Sequence, residues 1–170
     1  MASIEITSTA TTGLAGQPEP MTWLLAVDGS PSALAAVRHV LRATAGSGLH
    51  RFVLVNVQEP ATLCEVVRAQ DAEQLAALRR NAGDDLLREA EVLLQAAGAD
   101  YECEVAGGVP EHLIVELAER YACDAIVMGA HGQDNEPAPP EGLGPVALAV
   151  LEASPVPVTI VRAGQGFGGG

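Results

Sequence analysis

Four short apolar runs and one alternating stretch are interleaved along this chain with segments of helical periodicity. Trp23–Val27 (WLLAV) and Phe52–Val57 (FVLVNV) are nearly continuous in apolar residues, as are Ala125–Met128 (AIVM) and Val156–Val161 (VPVTIV). Runs of this kind fit strands buried on both faces, as in parallel sheets. Tyr101–Val105 instead alternates apolar with acidic side chains, which predicts an edge strand with one wet face.

Between the runs the period changes to that of a helix. After Asp28-Gly29-Ser30-Pro31, apolar residues recur at Ala33, Leu34, Val37, Val40 and Leu41, and Gly46 to Gly48 close the segment. Ser30 or Asp28 is placed to cap this helix, with Pro31 in its first turn. A long helical stretch runs from Arg68 to Ala97, with Asn81-Ala82-Gly83 as a candidate break. Pro110 opens a helix whose apolar face holds Leu113, Ile114, Leu117 and Ala118, and Val146–Leu151 is helical. The order β-α-β-α-β-α-β-α-β predicts an α/β fold: a doubly wound, five-stranded parallel sheet with helices on both faces. Residues 1–20, rich in Ser, Thr, Gly and Pro, read as a flexible leader. Residues 21–163 read as the folded domain and 164–170 as a flexible tail.

Ligands of such sheets bind beyond the carboxyl ends of the strands, where the strand order reverses. That directs attention to the loops Asp28–Pro31 and Gly129–Pro145. Asp28 either caps the following helix or accepts an exocyclic amine, such as that of adenine. The glycines Gly129, Gly132 and Gly144 either let backbone amides approach a phosphate or simply punctuate a turn. His131 is the titratable group of the second loop. It has no serine or cysteine neighbour to activate, and reads as a surface loop histidine. Glu111 and His112 read as a solvated helix start. No Ser-His-Asp arrangement and no metal-ligand set stands out, so no enzyme activity is expected.

Charge narrows the partners. The formal net charge is −13 and all nine basic residues are arginines, scattered rather than clustered. Nucleic acid is therefore not an expected partner, and a lysine-dependent phosphate loop is impossible. No apolar run approaches the ~20 residues of a membrane-spanning helix, and the N-terminus has no secretory pattern, so the expected address is the cytoplasm. Cys64, Cys103 and Cys123 form no CxxC pair and read as small buried thiols.

Several segments together resemble the universal stress protein family. LLAVDGSPSALAAVRHVL is similar to its first strand, acidic turn and first helix, and VLVNVQEP to its second strand. GGVPEHLIVELAERYACDAIVMGAHG is similar to its Gly-x-Pro helix and fourth strand, and LGPVALAVLEASPVPVTIVR to its last helix and strand. The resemblance implies a site for ATP or another adenine nucleotide between the first and fourth strands. Asp28 and Val57 would contact the adenine, Gly129, Gly132 and Gly144 would form the phosphate loop, and His131 is a further candidate for cofactor binding. It also implies a homodimer through the last strand, Val156 to Val161, whose apolar edge invites pairing with a symmetry mate. Pro157 restricts the side that can pair.

The chain departs from the family's loop pattern of a glycine pair, nine residues, then glycine with serine or threonine. Nine residues after Gly132 comes Gly142, followed by Leu143; aligned on its surroundings, the last glycine is Gly144, the gap is eleven, and Pro145 replaces the hydroxyl residue. Proline there removes a side-chain hydroxyl and a backbone N–H. The segment 133–141 carries Asp134, Glu136 and Glu141 without a basic residue. Each carboxylate opposes a triphosphate by about 1 kcal/mol at hydrated separations, unless a divalent cation bridges them. The expected function is thus a non-catalytic stress-response binding protein, acting through protein partners, with weak or absent ATP binding. The alternative is an adenine-nucleotide sensor with a rearranged phosphate loop.

Overall fold

The computed structural model describes residues 19–58, 72–133 and 142–164, with side chains in the second helix described from residue 81 onward. In chain order these form β1 (Met21–Ala26), α1 (Pro31–Thr44), β2 (His50–Gln58), α2 (Ala72–Ala96), β3 (Asp100–Gly107), α3 (Pro110–Arg120), β4 (Ala125–Gly129), α4 (Pro145–Ala153) and β5 (Val158–Val161). The strands make one parallel sheet in the order β3-β2-β1-β4-β5. The order reverses between β1 and β4, so the crevice expected of a doubly wound sheet lies beyond their carboxyl ends. Most of the expected leader and tail lies outside the described residues, as do Arg68–Asp71, Cys64 and residues 134–141.

Alternation along the buried strands feeds two cores. Leu25, Phe52, Leu54 and Val127 pack with Val37 of α1 and Leu87 of α2. Leu24, Val53, Val55 and Ile126 pack on the other face with Leu117 of α3 and Val150 of α4. The side-chain period of two sends successive residues of β1 and β2 to opposite faces, and both faces are covered by helices.

The candidate break in α2 is not a break, because the helix runs continuously through Asn81-Ala82-Gly83. Gly83 marks a close approach instead: a Cβ there would lie 2.5 Å from Val105 Cγ1 and 3.0 Å from Asn56 Oδ1. The last strand is shorter than Val156–Val161. Ser154 Oγ accepts from the Val156 N–H at 3.2 Å and donates to the Val156 carbonyl at 2.8 Å, holding that residue in a turn before the ladder begins. Cys103 corrects the expectation of buried thiols. It is exposed on the edge strand β3, whereas Cys123 is buried.

Two helices end by the same hydrogen-bonding device with different residues. At the end of α2 the Gly98 N–H donates to Gln95 O at 3.0 Å and the Ala99 N–H to Leu94 O at 3.0 Å, with Gly98 at φ +64°. At the end of α3 the Ala122 N–H donates to Glu119 O at 3.0 Å and the Cys123 N–H to Ala118 O at 2.8 Å, with Ala122 at φ +49°. These are Schellman closures, in which glycine is the unstrained occupant.

The amino end of the sheet is fastened next to this turn. The Thr22 N–H donates to Asp124 Oδ2 at 2.8 Å, and the Asp124 N–H returns a bond to Thr22 O at 2.8 Å. Among the described residues no helix is long and apolar enough to cross a membrane.

Candidate functional site

At the opposite end of the sheet, Asp28 follows β1 and its carboxylate joins both candidate loops. Oδ1 accepts the Ser30 N–H at 2.9 Å within the first loop. Oδ2 accepts the Gln133 N–H, also at 2.9 Å, from the second. Each oxygen keeps a lone pair for a further donor. The capping role falls to Ser30, whose Oγ accepts the Ala33 N–H at 3.1 Å at the start of α1 and donates to the His131 carbonyl at 3.3 Å.

The glycines are packed tightly. Gly29 has φ +80°, and a Cβ there would lie 2.7 Å from Leu86 Cδ2 and 2.8 Å from Gln133 Nε2. A Cβ on Gly132 would lie 2.8 Å from Asp28 Oδ2. A Cβ on Gly129 would lie 2.7 Å from Ser32 Cβ and 2.8 Å from the Ala33 nitrogen, so this glycine lets the first turn of α1 sit directly on the end of β4. Each has a packing reason to lack a side chain, whatever else approaches it.

His131 is not the surface histidine that its loop position suggests. It is half-buried, and its Nε2 is buried without a hydrogen-bond partner among the described residues. Glu111 and His112 do sit at the start of α3, half-buried and exposed respectively. Val57 is half-buried near the end of β2. The β1–β2 pairing ends at Ala26↔Val55, so Val57 lies two residues beyond the last paired residue of β2, where it pairs with Ala106 of β3.

Helix α4 begins on the far side of the second loop. Gly144 is its N-cap residue and supplies no side-chain bond, while its N–H donates to Ala130 O at 2.7 Å. Pro145 occupies the first turn, and the first intrahelical bond runs from the Leu148 N–H to Gly144 O at 3.0 Å. Of the first-turn amides ahead of that bond, those of Val146 and Ala147 are present and that of residue 145 is missing.

Three contributors to this end of the sheet escape a reading of motifs. Gln133 closes over Asp28 and Gly29. Asn56 is buried at 1% exposure and donates to Val27 O at 2.7 Å. Arg162, just past β5, donates to Gly142 O at 3.5 Å and brings a cation to the second loop. A polar residue inside an apolar strand and an arginine at a strand's carboxyl end were the available signals. Among the described residues no group of three or more His, Cys, Asp or Glu side chains is placed to hold a metal ion.

Comparison with known proteins places this arrangement. The model of the universal stress protein family matches residues 21–162. The chain belongs to the universal stress protein family. A universal stress protein of Methanocaldococcus jannaschii is 25% identical over 139 residues, covering 82% of this chain and 80% of the relative. Among solved structures, the hypothetical protein MJ0577 aligns with a TM-score of 0.68 at 25% identity, over 84% of this chain and 95% of its own. A universal stress protein solved in complex with cAMP aligns with a TM-score of 0.62 at 26% identity, over 85% of this chain and 98% of its own. The α/β fold with its sheet order is that of these universal stress proteins.

Proposed function

We propose that this universal stress protein is a non-catalytic binding protein whose cleft keeps its adenine-facing half and loses strength in its phosphate-facing half, so that ATP binds weakly or not at all. The start of α4 carries this reading: Gly144 offers no side-chain cap and Pro145 no N–H or hydroxyl where a phosphate would need donors. Asp134, Glu136 and Glu141, in the segment leading to that helix, add opposing charge. The adenine-facing half rests on Asp28, with open acceptor capacity, and on Val57, half-buried near the end of β2. Calorimetric titration with Mg-ATP tests the proposal. Weak heats without saturation at low-micromolar ligand are expected, and a low-micromolar dissociation constant overturns it.

A second reading, an adenine-nucleotide sensor with a rearranged phosphate loop, is supported by the relative solved with cAMP and by Arg162 beside Gly142. Tight binding of AMP or cAMP, with ATP weak, would favour it.

We further propose that the protein pairs as a homodimer through β5 at the sheet edge. The Pro157 carbonyl accepts from the Ile126 N–H at 2.9 Å, which turns residue 157 toward β4. In a strand the N–H and C=O of one residue point the same way, so proline's missing donor falls on the inner side and leaves the outer edge intact. Leu148 and Leu151 of the neighbouring α4 are each 46% exposed and add apolar surface. Light scattering is expected to give twice the chain mass, and a monomer at micromolar concentration overturns the pairing.

A further inference from the structure

We infer that Asn56 is a positioning residue that sets the Asp28 carboxylate for an adenine ligand; the inference rests on the adenine-facing half of the cleft proposed above. Asn56 stands in the apolar run of β2 and is 1% exposed. A buried amide costs about 1–3 kcal/mol unless its hydrogen bonds are made. Here both ends are used. Nδ2 donates to the Val27 carbonyl at 2.7 Å, and Oδ1 accepts from Gln58 Nε2. Gly83 of α2 lies so close to it that a Cβ there would come 3.0 Å from Oδ1, so the helix packs directly against the amide.

The bond to Val27 is the informative one. The Val27 N–H already donates to Val55 O at 2.8 Å, one step beyond the end of β1. If the parallel ladder simply continued, the Val27 carbonyl would accept a main-chain N–H of β2. The Asn56 side chain takes that carbonyl instead. The Val27–Asp28 peptide is therefore held by a side chain, at the residue where β1 leaves the sheet. The next group along is the Asp28 carboxylate, which carries the Ser30 and Gln133 amides at 2.9 Å each. A line of bonded groups thus runs from inside β2 through Val27 to the carboxylate at the cleft, and on to the second loop.

The test compares Asn56→Leu, which keeps the branched shape and heavy-atom count and removes both bonds, with Gln58→Ala, which keeps the bond to Val27. Adenosine is the probe, since it isolates the adenine-facing half from the phosphate loop. Its affinity is read by titration, and the Ser30 and Gln133 amides by nitrogen–proton correlation spectra. Expected are a loss of about tenfold or more in adenosine affinity for Asn56→Leu, with both amide signals displaced, and for Gln58→Ala a lower stability with adenosine affinity and both amide signals as in the wild type. A purely structural role would lower the melting temperature and leave those two amides and the affinity in place, and that result overturns the inference. Should Asn56→Leu fail to fold, the wild-type Asn56 side-chain NH2 signals decide: they are expected to shift on saturation with adenosine, and unmoved signals overturn it. Should the wild type not bind adenosine, the proposed adenine site fails by itself. Asn56 is then judged on whether Asn56→Leu displaces the Ser30 and Gln133 amides, and undisplaced amides overturn it.

Discussion

The Gln133 N–H lies 2.9 Å from Asp28 Oδ2, a bond spanning 105 positions of sequence. It closes the second loop onto the first across the point where the strand order reverses. A carboxylate that accepts two main-chain donors from two loops is a structural joint as well as a candidate ligand acceptor. Replacing it leaves both donors without their acceptor. Asp28→Ala is expected to lower stability by about 1–3 kcal/mol in urea denaturation. Asp28→Asn, which keeps one acceptor oxygen, should fall between the two. Faster hydrogen exchange at Gln133 in both variants is the local sign.

Pro145→Ser returns a hydroxyl and an N–H to the start of α4. One regained bond to a charged group is worth about 1.5–3 kcal/mol, so Mg-ATP is expected to bind about tenfold tighter or more. Calorimetry on the two proteins side by side checks this. An unchanged affinity would assign the weakness to the acidic segment rather than to the helix start.

Gly83→Ala is expected to destabilise although alanine favours helix. The gain in propensity is about 1 kcal/mol, while a Cβ placed 2.5 Å from Val105 Cγ1 forces the helix off the sheet at a cost of about 1–3 kcal/mol. Gly107→Ala, where a Cβ meets nothing within 4 Å, serves as the control and should change little. Denaturation midpoints of the two variants against the parent give the comparison.

Ala122→Gly should do the reverse. Ala122 holds a left-handed conformation at φ +49° that glycine adopts without strain, as Gly98 does at the end of α2. The substitution is expected to raise stability by about 1 kcal/mol, read as a higher melting temperature.

The thiols should be sluggish. Partial burial of the sulfur, then the hydrogen bond and charge of Glu91, push the Cys103 thiol up to about 12. Burial, then the Asp124 charge, pushes Cys123 up to about 11. Both are expected to resist alkylation at pH 8, mapped by mass spectrometry, even though Cys103 is exposed. Glu91→Gln should speed Cys103 and leave Cys123 unchanged. Because the folded thiols hold their protons more tightly than the ordinary value of 9.0, any stability they lend is full below about pH 9. It is lost as the pH rises toward 11 and 12.

The strands were legible because buried parallel strands need continuous apolar runs, and WLLAV, FVLVNV and AIVM have nothing else to be. Helix starts were legible at Pro31, Pro110 and Pro145 for the same local reason, a ring that suits the first turn. What failed depends on neighbours distant in sequence. Gly83 looked like a helix break, and only the position of Val105 shows it to be a close approach. Cys103 looked buried because it alternates with Tyr101 and Val105, yet on the edge strand it is exposed. His131 looked solvated, but the fold turns its Nε2 inward. Among the site residues, Asp28 and Gly129 carry a local signal, since they stand at strand ends, as does Gly144 at a helix start. Gln133 carries none and Arg162 only its place at a strand's carboxyl end, because their partners are set by how β4 and β5 lie beside β1.

The paired bonds between Thr22 and Asp124 fasten β1 to the turn before β4 at the amino end of the sheet, away from the crevice. The two strands that flank the crevice are thus zipped from the far end, and their register does not depend on what the loops do. A substitution in the loops therefore leaves this seam untouched, a full strand's length from the change.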